Sequence, residues 1–426
     1  MKEEINYDVA IVGGGPAGMM AGIFAGRAGA SVILVEKNPT LGKKLLISGG
    51  GRCNLVNGIF DNRALAKRYG KKGNFLLSPL SQWNAQSTID FFKSCGCPTK
   101  TEAENRVFPK SDMAQSVLDV LEGELKKVGV KILADSPVIK ITSSKNIIQT
   151  VETSDTIIRA KSFIVTTGGT ARPETGSTGD GFKWLAKLGH TIIVPEAALV
   201  PVKTAELWSH KLQGLSLTAV KIILFENGTK VQSNTGKILF THFGLSGPLV
   251  LNMSRTIGEV LKNSTASLAL DLFPALDQPA LDEKLCAHLA TAQNKKWHNA
   301  LAGFAPPLLA TALIELSGID SEIFVNKIPR ASRLAFVKLL KNLIITPTGL
   351  LPTEKAIVSS GGVALKEVDF KTMRSKKIMN LSLAGDILDF DRPSGGFSLQ
   401  ICWTTGFIAG KNAGVYTGNR KKGIPL

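Results

Sequence analysis

Apolar and polar positions sort the chain into segments of different period. Val9 to Val12 form an apolar run of strand length, followed by Gly13, Gly14, Gly15 and Pro16, then by small and apolar residues to Gly26. This reads as a strand, a tight turn and a helix with a thin face. The run from Val9 to Gly26 carries no charge, but the glycines and Pro16 break it, so it is not read as a membrane span. A second strand, Ser31 to Val35, ends at Glu36. From about residue 195 to 270, apolar and polar residues alternate in short runs such as LTAVKIILF and TASLALDLF, with Glu226, Asn227 and Gly228 as turn residues, which predicts strands. From Asp277 to about Asn342 apolar positions recur at helical spacing, as in LDEKLCAHLATA and SRLAFVKLLKNL. Domain boundaries are therefore expected near Pro195 and Pro352.

Gly13, Gly15 and Gly18 make G-x-G-x-x-G between a strand and a helix, the context in which that motif holds a dinucleotide. Gly13 permits the turn, Gly15 lets the backbone approach a pyrophosphate, and Gly18 lets the helix pack closely on the sheet. Glu36 stands roughly 20 residues further on, at the strand end, where an acid accepts from ribose hydroxyls. The turn alone does not choose between FAD and NAD. The stretch NLSLAGDILDFDRPSGGFSLQ, residues 380–400, points to FAD. Its strand, Leu381 to Ala384, ends in Gly385 and Asp386, whose carboxylate can accept from a ribityl chain. A helix starting near Phe397, Ser398 and Leu399 can stabilise negative charge on a reduced flavin. The loop after the second strand, TLGKKLLISGGGRCNLVNG, is too long and glycine-rich for a plain connection. Gly49, Gly50 and Gly51 invite a flat ligand, and Arg52, Cys53 and Asn54 add polar contacts. Gly168 and Gly169 follow another strand, and Thr178 to Gly181 precede another helix, as strand-to-helix turns on the same edge.

Composition narrows this picture. At 426 residues the chain suits two or three subdomains, and 44% hydrophobic with 20% charged residues fits a folded protein. Lys2, Glu3 and Glu4 run straight into the first strand, leaving no room for a secretory signal. The five cysteines, Cys53, Cys95, Cys97, Cys286 and Cys402, include no C-x-x-C pair, so neither a disulfide framework nor a metal site is expected, and a reducing cytoplasm fits. The net charge of +17 favours anionic partners. Its lysines and arginines are spread in short clusters, such as Lys71 with Lys72 and Lys295 with Lys296, and read as solvated faces rather than a nucleic-acid groove.

These motifs in this order resemble the BaiN/YhiN-like family of FAD-dependent oxidoreductases and, more distantly, the fumarate reductase and succinate dehydrogenase flavoproteins. The resemblance is carried by SGGGRCN at Ser48–Asn54, RVFPKSDMA at Arg106–Ala114, THFGLSGP at Thr241–Pro248, GGVALKEVDFKTM at Gly361–Met373 and AGDILDFDRPSGGFSLQ at Ala384–Gln400, and it covers essentially the whole chain. It implies an α/β fold, with a Rossmann-like FAD-binding domain built from residues 1–194 and 355–426. Between these it implies a β-barrel-like insert at 195–275, a small helical subdomain at 276–342 and a return through the insert at 343–354. Flavin contacts are implied at Gly13, Gly15, Ala17, Gly18, Glu36, Lys37, Lys44, Ser48, Gly51, Arg52, Cys53, Asn54, Val138, Gly168, Gly385, Asp386, Phe397, Ser398 and Leu399. Val138 enters because the family backbone passes close to adenine there, in a segment, SPVIKI, read as a strand.

His242 and Ser246 in THFGLSGP, and Arg392 in DFDRPSGG, are the candidates for substrate contact or proton delivery. Cys53 is read as a small packing residue, because no second cysteine lies at motif spacing. No second G-x-G-x-x-G follows a strand, so a nicotinamide donor would have to enter the substrate cleft between the FAD domain and the insert. The Gly13 to Glu36 unit with Gly385 and Asp386, and the lack of a suitably placed histidine for covalent attachment, lead to non-covalent FAD as the expectation. The family's link to reduction of carbon–carbon double bonds in steroid-like acids implies electrons from NAD(P)H and an activated double bond in a small organic substrate. The alternative, motivated by the +17 charge, is a flavoprotein that binds or modifies RNA.

Overall fold

The computed structural model describes residues 2–352 and 358–421. The chain forms two compact units, Met1–Ala197 with Thr353–Leu426, and Ala198–Pro352.

In the first unit, β1 (Glu3–Val12) leads through the glycine turn into α1 (Pro16–Arg27) and on to β2 (Val32–Val35). β1 lies parallel to β2 on one side and to the strand Thr156–Val165 on the other. Lys131–Leu133 extends the parallel sheet beyond β2, and Leu381–Leu383 extends it beyond Thr156–Val165. Val9, Ala10, Ile11 and Val12 are all buried, as a strand covered on both faces requires, which is why they read as a continuous apolar run. The arrangement is that of a Rossmann-type dinucleotide-binding unit, with the first turn at the carboxyl end of β1.

The closing helix, Phe397–Lys421, packs along α1. A Cβ at Gly406 would stand 2.5 Å from the Ala17 carbonyl oxygen, and one at Gly410 2.1 Å from that of Ala21. At Gly414 it would meet the Ala25 carbonyl at 2.8 Å. Three glycines spaced by four thus bring the two helix backbones into direct contact. Gly385, at the end of the strand Leu381–Leu383, also lies against the first turn of α1, where a Cβ on it would meet the Ala17 Cβ at 2.7 Å.

Val138 is corrected here. It precedes the strand Lys140–Ser144 and lies in the connection from Lys131–Leu133, not in a strand. That connection runs beside the end of β2, where Ser136 N donates to the Glu36 carbonyl and Asp135 N to that of Asn38. Pro137 lacks the N–H that a ladder would use.

The second unit is an antiparallel sheet whose strands run, in spatial order, Leu343–Ile345, Ala266–Asp271, Ser216–Glu226, Thr229–Thr241, Gly244–Ser246, Val202–Thr204 and Pro347–Leu350. Ile222 faces Leu270, and Leu224 faces Leu268. Among the described residues no pairing joins the two end strands, so the strand pairings confirm an antiparallel sheet but not the barrel-like closure that was expected. The alternating stretch also hides a long helix, Pro248–Asn263, which the strand reading missed. Pro248 opens its first turn, and Leu249, Val250, Met253, Ile257 and Val260 bury one face at helical spacing. The helices Gln278–Ala290, Pro307–Ser317 and Arg330–Lys341 complete this unit, and the Arg333 guanidinium ties two of them by donating to both Asp282 oxygens at 2.7 and 3.0 Å. Among the described residues, no helix is long and apolar enough to cross a membrane.

Candidate functional site

The glycine turn is built from backbone contacts. Gly13 adopts φ +110°, and its N–H donates to the Val35 carbonyl at 2.8 Å. Thr166, at the end of its strand, donates its hydroxyl to the carbonyls of Val12 and Gly13 at 3.0 and 2.8 Å. A Cβ at Gly18 would stand 1.9 Å from the Gly13 oxygen, so the helix and turn touch there. Gly15 is the opposite case, because no atom lies within 4 Å of where its Cβ would be. Its backbone therefore faces open space at the N-terminus of α1, where unpaired N–H groups favour a phosphate.

Glu36 closes the turn from β2. One carboxylate oxygen accepts from Gly14 N at 2.6 Å, and the other from Asn38 N at 2.8 Å and Asn38 Nδ2 at 2.7 Å. The oxygen on Gly14 retains a lone pair for a hydroxyl donor. Lys37 points elsewhere, its ammonium donating to the Thr178 hydroxyl at 2.6 Å and to Asp180 at 3.0 Å. Gly168 adopts φ +73° on the same side, 3.3 Å from the Ser177 hydroxyl when a Cβ is placed on it.

The loop after β2 turns through left-handed backbone at Gly49, Gly50 and Gly51, and a Cβ at Gly50 or Gly51 would meet nothing within 4 Å. Ser48 donates its hydroxyl to the Leu45 carbonyl at 2.7 Å. Cys53 is fully buried, and burial pushes its thiol up to about 12, so it stays protonated and unreactive at neutral pH. Asn54 stitches this loop to the far end of the chain, its amide nitrogen donating to the Val107 and Val56 carbonyls at 3.2 and 3.1 Å and its oxygen accepting from Gly396 N at 3.2 Å. Gly396 is required there, because a Cβ would lie 2.4 Å from the Val56 carbonyl carbon. Arg52 turns away from this seam. Its guanidinium donates to Glu102 and Asp112 and stacks 4.1 Å from the Phe108 ring, and those carboxylates hold it further above its ordinary value.

Asp386 is the centre of the third part. Its carboxylate lies 3.2 Å from an Arg392 nitrogen and 3.8 Å from the Lys44 ammonium, and it accepts from the Ser398 hydroxyl at 3.1 Å. Burial alone would raise Asp386, but Arg392 and Lys44 outweigh it and hold it below the usual carboxylate range. Lys44 is lowered by burial, with Asp386 opposing. Two cations on one carboxylate leave a net positive centre next to the closing helix N-terminus, which suits an anionic or electron-rich ligand. Arg392 has no exposed side-chain surface and also donates to the Leu388 carbonyl at 2.7 Å, which fixes the loop that leads to Phe397. Phe397 is buried, and Ser398 and Leu399 are half-buried.

Residues that sequence reasoning passed over hold this loop. The Tyr69 hydroxyl donates to the Phe397 carbonyl at 2.9 Å, and Lys72 pairs with Asp389 at 2.7 Å. Both partners are more than three hundred residues away, and only the polar residues in DFDRPSGG hinted that partners were needed. The structure brings Gly13, Gly15, Ala17, Gly18 and Glu36 together at one turn, and Lys44, Asp386, Arg392 and Ser398 at another. His242 and Ser246 belong to the second unit. His242 is exposed at the turn after Thr229–Thr241, with the Phe243 ring 4.9 Å away, and Ser246 faces Leu239 across the strands.

FAD fits these residues: open backbone at Gly15 for a pyrophosphate, acceptor capacity on Glu36, and the positive Asp386 cluster at a helix N-terminus. Fold and site define an FAD-binding flavoprotein oxidoreductase of Rossmann type. The profile described as HI0933-like protein Rossmann domain matches residues 7–412, and the chain belongs to that family, as its resemblance to the BaiN/YhiN-like proteins implied. It is 30% identical to a 3-dehydro-bile acid delta(4,6)-reductase of Clostridium scindens, over 95% of this chain and 98% of that protein. It is 28% identical to a ribosomal RNA dihydrouridine synthase of Escherichia coli, over 95% of this chain and 98% of that protein. Among solved structures, it shares the fold of a flavocytochrome c3 fumarate reductase, with a TM-score of 0.54 at 17% identity over 97% of this chain and 78% of the other. A 3-ketosteroid-delta4-(5alpha)-dehydrogenase from Rhodococcus jostii gives 0.53 at 15% identity over 97% of this chain and all of the other.

Proposed function

We propose that the protein uses non-covalent FAD to reduce an activated carbon–carbon double bond with electrons from NAD(P)H. The observation that carries the reading is the open backbone at Gly15 beside the acceptor Glu36, in a chain 30% identical to a double-bond reductase. FAD, when bound, supplies the hydride and electron chemistry, and the chain supplies orientation, charge and protons. Gly13, Gly15, Gly18 and Glu36 hold the nucleotide end. Lys44, the 48–54 loop and Asp386 hold the remainder, with Gly168 and the 134–139 connection bordering the nucleotide. Arg392 keeps Asp386 ionised and sets the loop that reaches Phe397. His242 and Ser246 are the proposed substrate contacts, His242 as proton donor because an imidazole ring carries an N–H that it can give up. Lys37 and Arg52 brace the surrounding loops through Asp180, Glu102 and Asp112.

The reductase and the dihydrouridine synthase carry their substrates in different molecules, so the proposal is made for the reaction class, with a small organic substrate as its first form. Anaerobic stopped-flow tests it in two halves. NADH or NADPH is expected to bleach the flavin absorbance, and a panel of enones and unsaturated acids to restore it faster than buffer does. Bleaching by neither nucleotide rules out the donor. Reoxidation that is unchanged in both His242→Ala and Ser246→Ala shows that the substrate contacts are misplaced.

A further inference from the structure

Tyr69 and Lys72 reach one loop from a single short stretch of chain. Tyr69 stands at the N-cap of the 3-10 helix Gly70–Leu76, and at about three residues per turn positions 69 and 72 fall on one side of it. From that side the Tyr69 hydroxyl donates to the Phe397 carbonyl at 2.9 Å, and the Lys72 ammonium lies 2.7 Å from Asp389 and 3.7 Å from Asp391. Tyr69 is fully buried, with the Phe397 and Phe390 rings edge-on to its own at 5.7 and 6.4 Å. Burial pushes the phenol above its ordinary value, so it keeps its one proton and gives it to Phe397. The accepting carbonyl and the N–H of Ser398 belong to one planar peptide group. A proton donated to the oxygen polarises that group and strengthens the N–H as a donor. Ser398 itself stands at the centre of the candidate site, its hydroxyl donating to Asp386 at 3.1 Å. Its N–H is among the first of the closing helix, which have no carbonyl four residues back within the helix, whereas Gln400 N already reaches the Gly396 carbonyl at 3.1 Å.

We infer that Tyr69 is a positioning residue for flavin reduction. Through the Phe397–Ser398 peptide it strengthens a helix N–H that stabilises negative charge on reduced FAD, and so raises the potential of the bound flavin. Lys72, paired with Asp389 and Asp391, holds the loop where the hydroxyl can reach it. The inference rests on the proposed FAD site, because without bound flavin the peptide has no such charge to stabilise. Loop packing alone is the competing account, and it makes Tyr69 matter equally for FAD affinity in both oxidation states.

The test is the midpoint potential of the bound flavin, read by anaerobic dye-coupled titration of the purified holoprotein. Tyr69→Phe keeps the ring and removes only the hydroxyl. It should weaken binding of reduced FAD about threefold more than that of oxidised FAD, which lowers a two-electron potential by about 14 mV. Thr404→Val removes another buried hydroxyl of the same helix, one that donates to the Trp83 carbonyl at 2.9 Å, and should leave the potential unchanged. Fluorotyrosine in place of the chain's three tyrosines makes the hydroxyl a stronger donor, and should raise the potential in the unaltered sequence but not in Tyr69→Phe. An unmoved potential in Tyr69→Phe overturns the inference, as does an equal shift in Thr404→Val. Where Tyr69→Phe does not fold, the fluorotyrosine protein decides, and an unmoved potential there overturns it too. An unaltered protein that takes up no FAD fails the flavin reading, and this inference with it. FAD bound at a potential indifferent to Tyr69 sinks the inference alone.

Discussion

His190 is held without any exposed side-chain surface between Glu367, 3.1 Å from Nδ1, and the Ser375 hydroxyl, 3.0 Å from Nε2. Burial, more than the pull of Glu367, decides its charge and lowers its pKa below 6.5. Burial would raise Glu367, but Lys377, Thr191 and His190 bring it down to about 2 from 4.5. Both groups destabilise the fold in acid, by different steps. The unfolded histidine takes up its proton first, so its contribution is complete above pH 6.5 and is lost as pH falls below that value. Glu367 contributes fully above pH 4.5, and that part is lost between there and about 2. Glu367→Gln is expected to weaken the fold at neutral pH and to flatten the loss of stability between pH 4.5 and 2, read by urea unfolding at a series of pH values. An unchanged acid profile would show that the cluster contributes nothing. At this scale, sequence reading anticipated local backbone geometry, the tight turn at Gly13 and the close packing at Gly18. It could not foresee that Arg52 serves Glu102 and Asp112, 50 and 60 residues away, or that Lys37 reaches Asp180, because side-chain direction depends on packing that no local pattern records.

Among the elements, α1 and the closing helix are locked by the glycine ladder at 406, 410 and 414. Gly410 is the tightest rung, since its Cβ would press on the Ala21 carbonyl oxygen at 2.1 Å, and a backbone atom has no rotamer by which to yield. Gly410→Ala is expected to cost about 3 kcal/mol and to lower the thermal midpoint by a few degrees. Because the same helix starts at Phe397, FAD affinity should fall with it, although residue 410 is more than three helical turns from that end. A variant with native stability and native affinity would contradict the ladder. The strand, turn and helix at the N-terminus were legible because one motif dictates all three. The helix Pro248–Asn263 was not, because its neighbours alternate with a period of two and its own period of 3.6 begins only after Pro248. Val138 was misread for a related reason, its apolar neighbours resembling a strand although Pro137 interrupts the ladder.

For the molecule as a whole, the parallel sheet, the glycine turn and the positive Asp386 cluster support the central proposal, that this turn holds FAD without a covalent bond. The family was readable from the order of five motifs along the chain. The partner of the +17 charge was not, since no local pattern in the chain tells which of its lysines and arginines face a ligand. The most direct test compares flavin bound by the purified protein with that bound by Gly15→Val. Position 15 has room for a side chain in the protein itself, so this variant should fold with a native circular-dichroism spectrum. The account predicts stoichiometric FAD released intact on denaturing the unaltered protein, and affinity weakened at least about 100-fold, near 2.7 kcal/mol, in Gly15→Val. A colourless protein that takes up no FAD, flavin that stays attached to the denatured chain, or undiminished binding by Gly15→Val would contradict it.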